Sequence, residues 1–190
     1  KNQVRGLNQA ARNAQDGISM VQTAEGAMSE AHTILARMRE LAIQASNDTV
    51  TANDRTNLMT EFSSLYSEID RIANATQFNG TAVLNGTQGN GLVLQIGANK
   101  SSGGDNAITL NISPSSGFQP TRLAATMSDM TIGYQTAASG SITVLDAAVN
   151  AVSTARASLG AMQSRLESAG RSIAVASENA AAANSRIADA

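Results

Sequence analysis

The chain has 190 residues, of which 3% are aromatic and 15% are charged, with no cysteine and a formal net charge of −2. The lack of cysteine excludes disulfides, thiolate zinc sites and cysteine nucleophiles, and the weak negative charge argues against nucleic acid or an anionic membrane as a partner. No stretch approaches the roughly 18 unbroken apolar residues of a membrane span. Such an aromatic-poor chain favours a thin helical assembly over a thick globular core.

A first helix is predicted from about Leu7 to Ala45, where apolar or small side chains recur every three or four residues. Gly6, Gly17 and Gly26 lie in or beside this pattern, and a helical glycine costs up to about 1 kcal/mol relative to alanine. Two interpretations stay open for them. They are either weak spots on an exposed face or places where neighbouring backbones approach closely.

A second helix is predicted after a polar and β-branched break at residues 47–53. Thr51 and Asp54 have the spacing of a capping box with a short acid, which predicts that the helix starts there. A regular apolar stripe then leads to an end near Ala75. Because the linker is short, we expect the first two helices to be antiparallel neighbours.

Turn and strand signals replace the helical period in the middle of the chain. Asn79-Gly80 and Asn85-Gly86 predict tight turns, since both residue types tolerate a positive φ. Two alternating apolar runs at 92–96 and 108–112 flank a loop rich in Asn, Ser and Gly, and they predict a β-hairpin with one apolar face. The segment Leu123–Tyr134 is ambiguous, and one more strand followed by a loop is one interpretation.

The longest predicted element is a helix over Gly140–Ile187, whose narrow apolar seam is interrupted only by Arg156. At 1.5 Å per residue it would extend roughly 70 Å. A seam of that length needs long partners, and the first two helices supply them. The predicted fold class is therefore mainly α, an α+β fold. Three long helices, two N-terminal and one C-terminal, form an elongated rod with a β-hairpin region at one end.

One domain is predicted over residues 1–190. Its parts are the N-terminal helices at 1–75, the β-hairpin and loop region at 76–139 and the C-terminal long helix at 140–190. The chain enters the helical pattern almost at once and ends without a C-cap glycine, so we expect a fragment of a longer protein.

The sequence shows no constellation of catalytic residues. His32 is the only histidine, which excludes a triad or metal site built on several imidazoles, and a partly buried or surface role is favoured for it. Paired acids such as Glu68 and Asp70 are explained better by a solvated helix face than by acid–base catalysis. Gly103-Gly104 lacks the following lysine and helix of a phosphate-binding loop. We predict a protein that is not an enzyme and has no cofactor or metal site.

The run Arg37–Gln44 is denser in charge than its surroundings. Arg37, Leu41 and Gln44 stand at i, i+4 and i+7 and so share one helical face. An apolar contact flanked by hydrogen-bonding groups suits a protein interface. An ordinary exposed helix face is the alternative, and the pattern alone favours it.

Several segments together resemble the conserved core of bacterial flagellin. The matching segments are Gly6–Ser19, Arg37–Gln44, Ser67–Ile72, Thr76–Gly80, Ser158–Leu166 and Asn184–Ile187. The resemblance implies a structural subunit that works in motility, is secreted, and packs side by side with other flagellin subunits in the extracellular filament. The family's terminal helices and outer domains have no match here, so we expect this piece to be monomeric by itself.

The resemblance also implies a second partner, the flagellin-sensing Toll-like receptor 5 of innate immunity. The family's receptor-contacting residues correspond to Arg37, Leu41 and Gln44 on the first helix and Glu61 on the second. Two other functions remain as alternatives. One is a flagellin-like hook–filament junction protein, and the other is a flagellin homologue on the cell surface that binds a ligand.

Overall fold

The computed structural model describes residues 2–85, 91–99, 106–110 and 130–188, and these residues form three long helices and four short strands. The elements are α1 (Asn2–Ala45), α2 (Ala52–Ala75), β1 (Gln77–Phe78), β2 (Thr81–Ala82), β3 (Leu92–Gln95), β4 (Ala107–Leu110) and α3 (Gln135–Ala188). The fold is mainly α with a small β region. The predicted fold class, with two N-terminal helices and one C-terminal helix, is confirmed.

Two helix starts differ from the prediction. α1 begins at Asn2 rather than near Leu7, and α3 begins at Gln135 rather than at Gly140. The apolar seam of α3 starts only at Ile142, so its first turn carries little periodic signal, although the Ala138 amide already donates to the Tyr134 carbonyl at 2.9 Å. The ambiguous segment Leu123–Tyr134 falls mostly outside the described residues, and its described part, 130–134, forms no strand.

The chain packs as two compact units. Unit 1 contains α1 up to Gln22, the strands β3 and β4, and α3 from Ser158 onward. Unit 2 contains α1 from Thr23, α2, β1, β2 and α3 up to Ala157. The division of residues 1–190 into one domain with three segments stays a prediction.

The β3–β4 hairpin of unit 1 has the alternation that the sequence predicts. β3 and β4 are antiparallel, with Leu92 opposite Leu110 and Leu94 opposite Ile108. Ile108 and Leu110 are buried, whereas Val93 is exposed on the other face. The Asn13 side-chain amide of α1 donates to the carbonyl of Gln95 at 2.8 Å, which ties the hairpin to the helix. Alternation along a strand therefore gives this hairpin one apolar face, as expected.

The helical glycines of α1 divide between the two interpretations left open. A Cβ at Gly6 would lie 3.1 Å from the Cβ of Ala98, and a Cβ at Gly17 would collide with Leu94 Cδ1 and approach Leu166 Cδ1 at 3.3 Å. In unit 1, glycine thus permits close packing. Gly26, in unit 2, is exposed, and no side chain of the described part of the chain lies within 4 Å of the point where its Cβ would stand. It is therefore a weak spot of the kind that alanine would relieve.

Unit 2 has a core of large side chains, and a tight turn follows α2. The largest fully buried residues of this unit are Met28, Leu35, Met38, Leu41, Phe62, Leu84, Ile132 and Leu145.

β1 and β2 pair across Asn79 (φ 48°) and Gly80 (φ 76°). Two consecutive positive φ angles characterise the predicted two-residue hairpin turn. The second predicted turn, at Asn85-Gly86, lies partly outside the described residues.

The junction between α1 and α2 is held by side chains at both helix ends. Thr51 is the N-cap of α2: its Oγ1 accepts from the Asp54 amide at 3.3 Å, and its own amide donates to Asp54 Oδ2 at 3.3 Å. Arg55 donates to the carbonyls of Ala45 and Asn47, each at 2.9 Å. The predicted capping box is confirmed. The arginine cap on the end of α1 had no signal in the sequence.

Replacing Thr51 with alanine is expected to lower the free energy of unfolding by about 1 kcal/mol. The hydroxyl's two hydrogen bonds are lost, one from the Asp54 amide at 3.3 Å and one to Asp54 Oδ2 at 2.6 Å. The hydrogen bonds from Thr51 also lower the pKa of Asp54 below its ordinary value of 3.8. A lowered native pKa gives stability above pH 4 that is lost as the pH falls through the native value. Urea unfolding between pH 3 and pH 6 should therefore show a smaller acid-dependent loss in Thr51→Ala than in the parent chain. An equal loss would contradict this role.

Candidate functional site

An exposed ion-pair cluster joins α1 to α2 within unit 2. Arg37 Nε donates to Glu61 Oε1 at 2.8 Å, and Arg37 Nη1 donates to Glu40 Oε2 at 3.0 Å. The side chains of Arg37 and Glu61 are 49% and 43% exposed. Glu61 in the first place, and Glu40 after it, raise the pKa of Arg37 above its ordinary value. The structure thus brings together two of the four residues that the sequence singled out.

The other two residues of the set have opposite environments. Gln44 is exposed on α1, whereas Leu41 is completely buried. Successive residues turn by about 100° around a helix, so Leu41 is rotated by about 40° from Arg37, toward the side on which Met38 and Ala45 are also buried. The expectation that Leu41 offers an accessible apolar contact is therefore not met. The boundary of the core passes between Arg37 and Leu41.

Two neighbours of this surface were not identified from the sequence. Glu40 shares Arg37 with Glu61, and its i, i+3 spacing from Arg37 was a usable signal. Ile43 is 47% exposed and stands three residues after Glu40, a spacing that makes the two side chains neighbours on the helix surface. The surface formed by Arg37, Glu40, Gln44 and Glu61, with Ile43 beside it, is called the α1–α2 surface below.

The described part of unit 2 contains one other titratable side chain of interest, His32, and two ion pairs between α1 and α3. His32 is half-buried, and its Nδ1 has no hydrogen-bond partner among the residues that the structure describes. Arg156, which interrupts the apolar seam of α3, has its Nη2 3.8 Å from Glu25 Oε1 of α1. Arg39 Nε of α1 donates to Asp146 Oδ1 of α3 at 2.5 Å. Among the described residues no group of three His, Cys, Asp or Glu side chains could hold a metal ion. These contacts link helices and do not form a reaction site.

Unit 1 contains an open groove of about 420 Å³ between α1 and α3. Its walls are the small or aliphatic side chains of Ala11, Ala14, Ile18, Gly170 and Ala174, with Gln15, Glu167 and Arg171 along the rim. No helix in the described part of the chain combines the length and apolar character needed to cross a bilayer. The groove offers van der Waals surface and two charges of opposite sign, but no set of groups arranged for catalysis.

Two family models match most of the chain. The description "Bacterial flagellin N-terminal helical region" applies to residues 1–89, and "Bacterial flagellin C-terminal helical region" applies to residues 142–190. The first match contains all of α1 and α2, including the α1–α2 surface, and the second contains most of α3.

Relatives match the chain over nearly its whole length. A flagellin of Halalkalibacterium halodurans is 46% identical over 98% of this chain and 66% of the relative. A flagellin of Bacillus subtilis is 39% identical over the full chain and 70% of the relative. A flagellar filament 30.7 kDa core protein of Treponema maltophilum is also 39% identical, over 98% of this chain and 67% of the relative. The chain thus spans about two thirds of the length of these proteins.

Solved structures of flagellar proteins have a fold similar to that of this chain. The crystal structure of Bacillus cereus flagellin matches with a TM-score of 0.70 at 29% identity, covering 85% of this chain and 88% of that one. A putative flagellar hook-associated protein from Vibrio parahaemolyticus has a TM-score of 0.70 at 19% identity, covering 98% and 92%, and at that identity shows the fold alone. The chain belongs to the bacterial flagellins, a family of structural proteins of the flagellar filament and not of enzymes.

Proposed function

We propose that this chain works outside the cell, in contact with other flagellin subunits of a filament, and that it is also a ligand of Toll-like receptor 5 through the α1–α2 surface. Membership in the flagellin family supports the filament role and motility as its purpose. The receptor role extends what the resemblance implies for Arg37, Leu41, Gln44 and Glu61. A location outside the cell follows from both roles.

The observation that carries the receptor proposal is the Arg37–Glu61 ion pair. It joins residues 24 positions apart into one exposed patch at 2.8 Å. Arginine is enriched among the residues that dominate binding energy at protein interfaces. A guanidinium already oriented by two carboxylates loses less side-chain freedom on binding than one that is free in solvent. Gln44 adds an exposed amide along the same helix.

Leu41 has a different role in this proposal. Because its side chain is completely buried, it supports the backbone beneath Arg37 and Gln44 rather than contacting the receptor directly. Ile43, at 47% exposure, is the apolar side chain of the surface that a partner can reach. The receptor contact then consists of charged and amide groups with one aliphatic side chain beside them.

The alternative functions have less support. A hook–filament junction protein is compatible with the fold shared with the Vibrio protein, but that likeness carries no function. A binding role on the cell surface would use the open groove of unit 1, for which no ligand is identified. The relatives with the higher identities are flagellins and a flagellar filament core protein.

The receptor proposal is tested by titrating purified chain on reporter cells that express Toll-like receptor 5. Arg37→Ala and Glu61→Ala are each expected to reduce potency about tenfold, since a central interface side chain typically contributes more than about 1 kcal/mol to binding. Far-UV circular dichroism should show both variants folded, because exposed ion pairs contribute little to stability.

Arg71→Ala is the matched control for these variants. Arg71 also lies on an exposed helix face of unit 2 and bonds to an acid three residues away, Glu68, at 2.6 Å. Its removal should leave receptor potency unchanged. If Arg37→Ala and Glu61→Ala both keep the potency of the parent chain, the receptor assignment is wrong.

A further inference from the structure

The sulfur of Met59 on α2 is a hydrogen-bond acceptor for the chain segment that precedes α3. The Ile132 amide donates to Met59 Sδ at 3.5 Å, and the Thr131 hydroxyl approaches the same sulfur at 3.9 Å. Ile132 itself is completely buried. A buried amide needs a partner, and here that partner is a thioether, which accepts hydrogen bonds only weakly.

Thr131 makes further hydrogen bonds beside this contact. The Thr131 hydroxyl also accepts from the Gly133 amide at 3.2 Å, and the Thr131 carbonyl accepts from Ser141 Oγ of α3 at 3.2 Å. Met130, at the start of the segment, is buried as well. Met59 thus anchors residues 130–133 to α2, while Ser141 connects them to the first turns of α3.

Met59 differs from the other described methionines in combining this role with exposure. Met20, Met28, Met38 and Met130 are buried, while Met59 and Met162 are half-buried. Only a solvent-accessible thioether reacts readily with dissolved oxidants. Among the described residues, Met162 on α3 is the other methionine that solvent reaches, and no hydrogen bond to its sulfur is present there.

We propose that Met59 is an oxidation site whose conversion to methionine sulfoxide releases residues 130–133 from α2. The oxidant is a peroxide such as hydrogen peroxide. Its O–O bond breaks, one oxygen atom forms a bond to Sδ, and the other leaves as water. The sulfur loses two electrons and the peroxide gains them. Methionine sulfoxide is reversible by reductases, so the change can be undone.

Geometry gives the reason for the release. The sulfur lies 3.5 Å from the Ile132 nitrogen, and an oxygen added to Sδ along that line would approach the nitrogen more closely than the roughly 2.7 Å at which N–H···O bonds begin. Either the segment moves away or the Met59 side chain rotates to another rotamer. In both cases the contact that the Ile132 amide makes with the sulfur in the reduced protein is broken, and a larger, more polar sulfoxide replaces the thioether against which residues 130–133 pack.

The test combines hydrogen peroxide treatment of the whole chain with amide hydrogen exchange measured by NMR. Peptide mass spectrometry first measures sulfoxide at each methionine. In oxidised parent chain the Ile132 amide is expected to exchange about tenfold faster, because exchange reports local opening, and treatment with methionine sulfoxide reductases should restore the original rate.

Two variants separate Met59 from the other methionines. Met59→Leu keeps the volume but cannot accept the hydrogen bond, so its Ile132 amide should exchange fast before treatment and not change further with peroxide. Met162→Leu should respond to peroxide as the parent chain does. The proposal is overturned if Met59 stays reduced while Met162 is oxidised, if Met59 sulfoxide leaves Ile132 exchange unchanged, or if Met59→Leu still responds to peroxide.

Discussion

Replacing Leu41 with alanine is expected to lower the free energy of unfolding by about 2–5 kcal/mol, as found for buried leucines that leave a cavity. Leu41 is completely buried in unit 2, on the same helix as the exposed Arg37 and Gln44. Urea unfolding followed by far-UV circular dichroism measures the loss. A variant as stable as the parent chain would show that Leu41 is not part of the core.

Two further variants separate the contribution of Leu41 to stability from a direct contact with the receptor. Ile43→Ala is the matched stability control on α1, because Ile43 is 47% exposed and its truncation leaves no buried cavity. It should lower the free energy of unfolding by much less than Leu41→Ala does. Leu41→Met conserves volume and should cost less than about 1.5 kcal/mol. If Leu41 only supports the backbone, Leu41→Met should signal as the parent chain does. A large loss of potency in a stable Leu41→Met chain would indicate direct contact.

Replacing Leu166 with alanine is the second large effect, also expected at about 2–5 kcal/mol. Leu166 is completely buried in unit 1, and its Cδ1 lies 3.3 Å from where a Cβ on Gly17 would stand. Because Gly17 has no side chain with which to fill the space, the upper part of that range is expected. The matched control is Val175→Ala on the same helix, since Val175 is 59% exposed and should lose little.

The pair Gly17 and Leu166 also allows a double-mutant cycle. In the parent chain Gly17→Ala is expected to destabilise, because its Cβ would press on Leu94 and Leu166. In the Leu166→Ala background the contact with Leu166 is removed while the collision with Leu94 remains, so the cost of the methyl group should fall. Such a coupling between contacting residues is what the cycle isolates. Additive losses would show that the two sites do not share one packed space.

Local signals in the sequence were sufficient wherever one short segment decides its own structure. The capping box of Thr51 and Asp54, the turn at Asn79-Gly80 and a hairpin with one apolar face all appear as expected. Each depends on interactions within a few residues or on an alternation with period two. The start of α3 was missed because its first turn, around Gln135, carries no apolar period.

Interactions between distant residues could not be predicted in the same way. Arg55 caps α1 from α2, and Met59 accepts a hydrogen bond from residue 132. Each contact joins residues that lie on different elements, so no local pattern marked them. The resemblance to flagellin identified Glu61 beside Arg37, which spacing alone did not, and the structure shows the contact as an ion pair of 2.8 Å.

The sequence by itself determined the helical periods, the turns, the hairpin alternation and, through the order of its matching segments, the flagellin family. Only the tertiary structure decided which members of one helical face are accessible. Arg37, Leu41 and Gln44 share a face by spacing, yet Leu41 is buried and the other two are exposed. A helical period gives the direction in which each side chain points, but the packed neighbours of unit 2 determine how far the core extends around α1.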